Sequence, residues 1–337
     1  MLIDLRSDTV TRPTPAMREA MGVAEVGDDV FGDDVTVARL EELAAGLLGK
    51  EAGMFVPSGT QSNLCAMLAH CARGDEYIVG QSAHTYLFEG GGAAVLGSIQ
   101  PQPLDQEPDG TLAFDKIAGL VKPDDFHFAR TRLLCLENTT WGKVLPLDYL
   151  QAVGGFAAKH GLALHLDGAR IFNAAVASGE SAATLADPFE SVSLCLSKGL
   201  GAPVGSVLVS SGSFIKETKR WRKMLGGGMR QAGILAAAGI HALEHHIDRL
   251  ADDHDNARRL SDGLSLIPGL RVDPVQTNMV FVEACGDHVA TLSERLQDQG
   301  VLIGGYTGGK MRLVTHLDVS GSDIETVIGT FAEVLQS

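Results

Sequence analysis

Short apolar runs recur through the first two hundred residues, and segments with helical spacing separate them. Residues 53–56, 77–79, 133–136, 162–166 and 192–196 read as strands. Near-continuous apolar runs of this length suit strands covered on both faces, as in a parallel sheet. Thr14-Pro15 places proline at the first position of a helix, with Gly22 as its stop. Val37, Leu40, Leu43 and Leu47 recur at helical spacing before Gly49. After about residue 246 the pattern changes. A polar helix over 248–266 precedes strands near 278–282 and 311–314, and a final helix closes the chain. The pattern predicts an α/β fold. A mostly parallel central sheet forms a large domain over 1–246, including the N-terminal segment, and a smaller α+β domain covers 247–337.

Composition narrows the partners. The 337 residues fit about two domains. With 27 Lys+Arg against 42 Asp+Glu, the formal charge is −15. That balance argues against nucleic acid and against an anionic membrane surface, both of which are bound through basic side chains. The charge-free run over 52–69 carries Pro57, Ser58, Gln61 and Asn63, so it does not read as a membrane span. The first eight residues contain no apolar stretch of signal-peptide length. Cys65, Cys71, Cys135, Cys195 and Cys285 are odd in number and form no CxxC pair. Neither a disulfide framework nor a zinc site is suggested, and a reduced, cytoplasmic setting is expected.

Asp167 and Lys198 are the most informative pair. Each follows a strand and each adjoins glycine, in Asp167-Gly168-Ala169-Arg170 and Ser197-Lys198-Gly199. Ligands of open α/β sheets bind outside the carboxyl ends of strands. One strand–helix–strand crossover spans the 31 residues between them. A lysine there can form a Schiff base and an aspartate can pair with a pyridinium nitrogen, the two main tasks of a pyridoxal phosphate site. Either residue alone reads as an ordinary surface charge; together at one sheet edge they favour the site. Ser58-Gly59-Thr60 lies between a strand and a helix, where free N–H groups attract a phosphate. No GxxxxGK[ST] or GxGxxG string occurs.

His84 and His127 are candidates to move protons, and His84 can also stack on an aromatic ring. Each alone reads as a hydrogen-bonded structural histidine. His241-Ala242-Leu243-Glu244-His245 matches a zinc-protease string, but a solvated helix end is the better reading, and no metal is expected. Lys216, Lys219, Arg220, Arg222, Lys223 and Arg230 cluster around Gly226-Gly227-Gly228. A solvated helix face and an anion site are equally compatible with that cluster.

Ordered strings throughout the chain resemble one family. They include Asp4-Leu5-Arg6-Ser7-Asp8-Thr9-Val10-Thr11, Val26-Gly27-Asp28-Asp29-Val30 and Ser58-Gly59-Thr60-Gln61-Ser62-Asn63. They continue with Leu136-Glu137-Asn138-Thr139, His165-Leu166-Asp167-Gly168-Ala169-Arg170 and Leu196-Ser197-Lys198-Gly199-Leu200-Gly201. Gly227-Gly228-Met229-Arg230-Gln231 and Arg312-Leu313-Val314-Thr315-His316 complete the set. The chain resembles the low-specificity L-threonine aldolases, in the beta-eliminating lyase/threonine aldolase group of pyridoxal phosphate enzymes. The resemblance implies the transferase fold type I and pyridoxal 5'-phosphate as cofactor. It implies that Lys198 holds the cofactor, Asp167 keeps its ring nitrogen protonated, His84 stacks on it, and Gly59 and Thr60 bind the phosphate. Lys223 and Arg230 would reach the cofactor region of a neighbouring subunit, implying a homo-oligomer, commonly a homotetramer, with active sites at subunit interfaces. Ser7, Arg170 and Arg312 would hold the substrate carboxylate, a task suited to arginine's planar fork.

Three stretches depart from the family pattern. Phe31 stands where tyrosine is frequent, Thr140-Trp141 stands where His-Asn is frequent, and the Gly304 to Gly309 stretch is unlike close members. The implied reaction is retro-aldol cleavage of L-threonine and L-allo-threonine to glycine and acetaldehyde, with other β-hydroxy-α-amino acids also accepted. His84 or His127, directly or through water, would take the hydroxyl proton. The alternatives are another pyridoxal phosphate β-eliminating lyase or aminotransferase, or a binding protein without catalysis.

Overall fold

The computed structural model describes residues 2–284, 291–307 and 310–336. Cys285, Gly308 and Gly309 lie outside the described residues. The strands are β1 (Ile3–Leu5), β2 (Ala52–Val56), β3 (Asp75–Gly80), β4 (Gln100–Leu104), β5 (Arg130–Glu137), β6 (Ala163–Asp167), β7 (Ser191–Cys195), β8 (Ser206–Ser210), β9 (Leu270–Val272), β10 (Met279–Ala284), β11 (Val301–Thr307) and β12 (Lys310–Val314).

Seven strands form one sheet in the order β2-β8-β7-β6-β5-β3-β4. The β7–β6, β6–β5, β5–β3 and β3–β4 pairs are parallel, while β8 runs antiparallel to both β2 and β7. A mostly parallel sheet is therefore borne out, and β4 and β8 are its strands that the apolar pattern missed. β8 buries Val207, Leu208 and Val209 between serines, and β4 reads Gln-Pro-Gln-Pro-Leu, whose prolines argue against a strand. Helices cover both faces, as continuous strand burial requires. Leu147–His160 and Ile171–Ser178 pack in the core around Leu134, Leu166, Val192 and Leu194. The helix at Pro15–Gly22 is capped by the Thr14 hydroxyl, with Pro15 at its first position, as the sequence predicts.

The second sheet has the order β1-β11-β12-β10-β9. Its core gathers Leu260, Val280, Leu313, Ile324 and Phe331. Here the expected grouping of the N-terminal segment with residues 1–246 needs correction. β1 pairs in parallel with β11, Ile3 against Val301, and Ile3 and Leu5 bury in the second core. Two inward apolar residues on a three-residue strand carry this docking, and no periodicity reveals it. The helix Leu250–Ser265 links the two cores, with Leu250 in the first and Ala257, Leu260 and Leu264 in the second. No helix among the described residues is long and apolar enough to cross a membrane.

Gly205 leads into β8 with φ +109°, and a Cβ there would stand 2.5 Å from the Phe55 ring. Gly74 shares a positive φ of +84° but has open space around it. Gly205→Ala should therefore cost roughly 2 kcal/mol more than Gly74→Ala in denaturant unfolding, the excess being the overpacking term. Equal losses would contradict this packing.

Candidate active site

A cavity of about 330 Å³ opens at the carboxyl edge of β5, β6 and β7, where β10 and β12 of the second sheet approach it. Lys198, His84, Glu137, Arg170 and Arg312 line it. Lys198 lies three residues beyond β7, and its carbonyl accepts from the Thr11 hydroxyl at 2.9 Å and from the Gly201 N–H at 2.9 Å. The short turn thus locks the lysine's backbone. Asp167 ends β6 in register with Glu137 at the end of β5.

Beneath the cavity, the Asn63 amide organises the charges. Its Nδ2 donates to Asp167 Oδ2 at 2.9 Å and to Glu89 Oε1 at 2.8 Å. The Ala169 N–H adds a bond to Asp167 Oδ1 at 3.1 Å. Glu89 Oε1 also accepts from His84 Nδ1 at 2.9 Å. That bond leaves His84 Nε2 as an acceptor when the ring is neutral. The Glu89 hydrogen bond raises the His84 pKa, while burial raises that of Glu89. Burial, with Asp167 beside it, pushes Glu137 up to about 7, although its carboxylate accepts the His84 backbone N–H at 2.8 Å.

A neutral chain supports Asn63 from behind. Asn63 Oδ1 meets His165 Nε2 at 3.1 Å, His165 Nδ1 meets the Ser191 hydroxyl at 2.8 Å, and that hydroxyl meets His70 Nε2 at 2.7 Å. Burial pushes His165 down to about 4 and His70 to about 3, the latter also disfavoured by His165. With Asn63 donating both amide hydrogens forward, the consistent assignment has His165 donating from Nε2, Ser191 donating to His165, and His70 donating to Ser191.

The opposite end of the cavity is cationic. Arg170 donates from Nε and Nη2 to the two oxygens of Asp8, at 2.7 and 2.6 Å. Burial opposes the Asp8 charge, but this two-pronged pairing with Arg170 holds its carboxyl well below the usual range. Arg170 Nη1 has no partner among the described residues and remains for a ligand. Arg312 on β12 donates from Nη2 to the Arg6 carbonyl at 3.0 Å, and burial followed by the Arg170 charge lowers its pKa. Two guanidiniums held close in this way suit a carboxylate. Ser7, in front of Asp8, also lines the cavity.

The helix Gly59–His70 carries Asn63 and begins beside β8. The Ser58 hydroxyl caps it by accepting from the Gln61 N–H at 3.2 Å. The buried Ser206 hydroxyl has no partner among the described residues and stands 3.5 Å from where a Gly59 Cβ would be. An orphaned hydroxyl beside free N–H groups fits a phosphate. With Lys198 and the doubly supported Asp167, these residues fit pyridoxal phosphate.

The single chain does not gather every expected residue. His127 is exposed on the loop after Val121, bonded to Asp125 at 2.7 Å and packed on Phe126, away from the cavity lining. Its placement within this chain therefore corrects the expectation of a residue at the site. Lys223 and Arg230 also stand outside that lining, both exposed, with Arg230 paired to Asp28 at 2.6 Å. Arg222 of the same cluster is structural: it is buried on the Phe55 carbonyl and Asp29. Glu244 of the rejected zinc string is held by Arg39 at 2.6 Å. Phe31 is exposed. Asn63, Glu89, Glu137, Asp8 and His165 were given no role from sequence. All but Glu89 lie in the strings that carried the resemblance, and that was their only signal.

The model of the beta-eliminating lyase family matches residues 4–285, and the chain belongs to that family. The low specificity L-threonine aldolase of Escherichia coli (strain K12) is 57% identical over 326 residues, 97% of each chain. Low-specificity L-threonine aldolase 1 of Arabidopsis thaliana is 44% identical and covers 99% of this chain and 96% of its own. A Leishmania major threonine aldolase structure matches with a TM-score of 0.84 at 21% identity, covering 99% of both chains. The expected family and α/β architecture are borne out.

Glu89→Gln keeps the shape and the acceptor oxygen but removes the charge facing His84. The His84 titration should move to lower pH, read by NMR of labelled histidine. An unmoved titration would show that Glu89 does not set the charge of His84.

Proposed function

We propose that this chain is a pyridoxal phosphate-dependent aldehyde-lyase that cleaves L-threonine and L-allo-threonine to glycine and acetaldehyde, with tolerance for other β-hydroxy-α-amino acids. The observation that carries the reading is the meeting, in one cavity, of Lys198 and His84 with two arginines, with the supported Asp167 within 4.8 Å of His84. The aldolase names of relatives at 57% and 44% identity support the same reaction.

Pyridoxal phosphate, when bound, supplies an electron sink for the pair released at the substrate's α-carbon. Lys198 would hold the group, Asp167 would pair with its ring nitrogen and keep it protonated, and His84 would stack on it. Gly59 and Thr60 would hold its phosphate from the helix N-terminus. Arg170 Nη1, Arg312 and Ser7 hold the substrate carboxylate. That anchor fixes which α-carbon bond is activated. His84 Nε2, directly or through water, accepts the β-hydroxyl proton. Tolerance at the β-carbon follows when either hydroxyl configuration can reach that acceptor.

The finer setting belongs to the same reading. The enzyme is cytoplasmic and works as a homo-oligomer, a homotetramer by family resemblance. Lys223 and Arg230 serve the site of a neighbouring subunit, and His127 acts only where a neighbour's loop reaches the cavity. Exposed apolar Val30 and Phe31 beside the Arg230–Asp28 pair suit a covered surface. Residues 1–246 and 247–337 act as two bodies, with β1 crossing to the second.

Holoenzyme should release acetaldehyde from both diastereomers, measured with a coupled dehydrogenase. Release of pyruvate and ammonia, or of a 2-oxo acid, would instead assign an eliminating lyase or an aminotransferase. Lys198→Ala should lose the cofactor's characteristic visible absorption, and a retained band would remove Lys198 from its role.

A further inference from the structure

Retro-aldol cleavage turns the substituent on the substrate's β-carbon into the side chain of the aldehyde. The wall facing that substituent therefore decides which aldehydes can form. Besides the arginines, the cavity lining includes the apolar side chains of Phe88, Trp141 and Met279. Trp141 occupies an unusual backbone position. Thr140 and Lys143 exchange backbone hydrogen bonds at 2.9 Å in both directions, closing a two-residue turn. Its central residues have φ +51° at Trp141 and +78° at Gly142. Such turns select asparagine, aspartate or glycine, so tryptophan sits here against its backbone preference.

The surroundings hold the indole in place. Its Nε1–H donates to the Ser82 carbonyl at 3.0 Å, and the rings of Phe88 and Phe281 stand 6.2 and 6.0 Å away. The turn is itself pinned. The Thr277 hydroxyl donates to the Gly142 carbonyl at 2.8 Å, and a Cβ on Gly142 would come within 2.9 Å of Met279. A second cavity, of about 180 Å³, adjoins this turn, with Pro274, Gln276 and Phe281 in its lining. The two cavities share only Trp141 and Met279.

We infer that Trp141 is a partition that limits the size of the substrate's β-substituent, separating the substrate cavity from a second pocket that a larger group would occupy. The inference rests on the aldolase reading and names the specificity determinant of that site.

The test compares holoenzyme of the wild type, Trp141→Asn and Trp141→Phe. Asparagine suits the left-handed turn and removes the ring, whereas phenylalanine keeps a ring and loses the bond to Ser82. The kcat/KM ratio of L-threo-β-phenylserine to L-threonine should rise about tenfold or more in Trp141→Asn, the scale expected when pocket volume limits a substrate. Trp141→Phe should leave the ratio within about threefold of wild type, because most of the ring volume remains. A readout without turnover accompanies this. L-phenylalanine and L-alanine lack the β-hydroxyl, and calorimetry should show binding shifted toward L-phenylalanine in Trp141→Asn alone. An unchanged or falling ratio in Trp141→Asn, with wild-type cleavage of threonine intact, overturns the partition and leaves the aldolase reading standing. Absence of threonine cleavage in the wild type overturns both.

Discussion

Two carboxylates buried side by side, Asp167 and Glu89, depend on one amide. Burial raises the pKa of Glu89, and the neighbouring Asp167 adds to that. Asn63 opposes this by giving one N–H to each. The proposed pairing of Asp167 with a cofactor ring nitrogen therefore rests on how a neutral side chain holds its carboxyl group. Behind it, His165, Ser191 and His70 fix the orientation of the amide without adding charge, since burial holds both histidines neutral. One helix carries this amide and also presents its N-terminus beside the orphaned Ser206 hydroxyl. In the proposed reading, phosphate placement and ring-nitrogen placement are thus set by a single helix.

The second constraint joins the two sheets. Asp8 follows β1, which belongs to the second sheet, yet its carboxylate grips Arg170 just beyond β6 of the first. The Asn278 amide, beside β10, also reaches Asp8, at 3.2 Å. Breaking a buried pair of this kind typically costs about 3–5 kcal/mol, because the remaining charge is stranded. The pairing also leaves one edge of Arg170 turned to the cavity beside Arg312. The proposed carboxylate anchor therefore lies where the two sheets meet and draws on both.

Much of this organisation was readable before the structure. Strands that are apolar throughout announced a covered parallel sheet. Asp167 and Lys198, each at a strand end beside glycine, announced the site, because backbone topology alone carries strand ends to one edge. What escaped reading lacks a local signature. β1 has only three residues, β8 buries three apolar residues between serines, and β4 carries two prolines. Glu89 resembles any glutamate on a short helix-rich stretch until folding brings Asn63 and His84 onto it. Lys223 and Arg230 were attached to the site through family resemblance and His127 through the chemistry of histidine, and folding of one chain does not bring them into the cavity lining. Trp141 was visible as a departure from the family pattern, but its place between two cavities comes from the turn and from contacts distant in sequence.

The central claim is that the Asn63 amide holds the Asp167 carboxyl in the position from which it pairs with the cofactor's ring nitrogen. Nitrogen-15 NMR of holoenzyme loaded with ring-labelled pyridoxal phosphate tests it most directly, in the wild type and in Asn63→Leu. The ring nitrogen should be protonated in the wild type and should lose that protonation, in whole or in part, in Asn63→Leu. An unprotonated ring in the wild type, or an identical signal in the two proteins, would contradict the account.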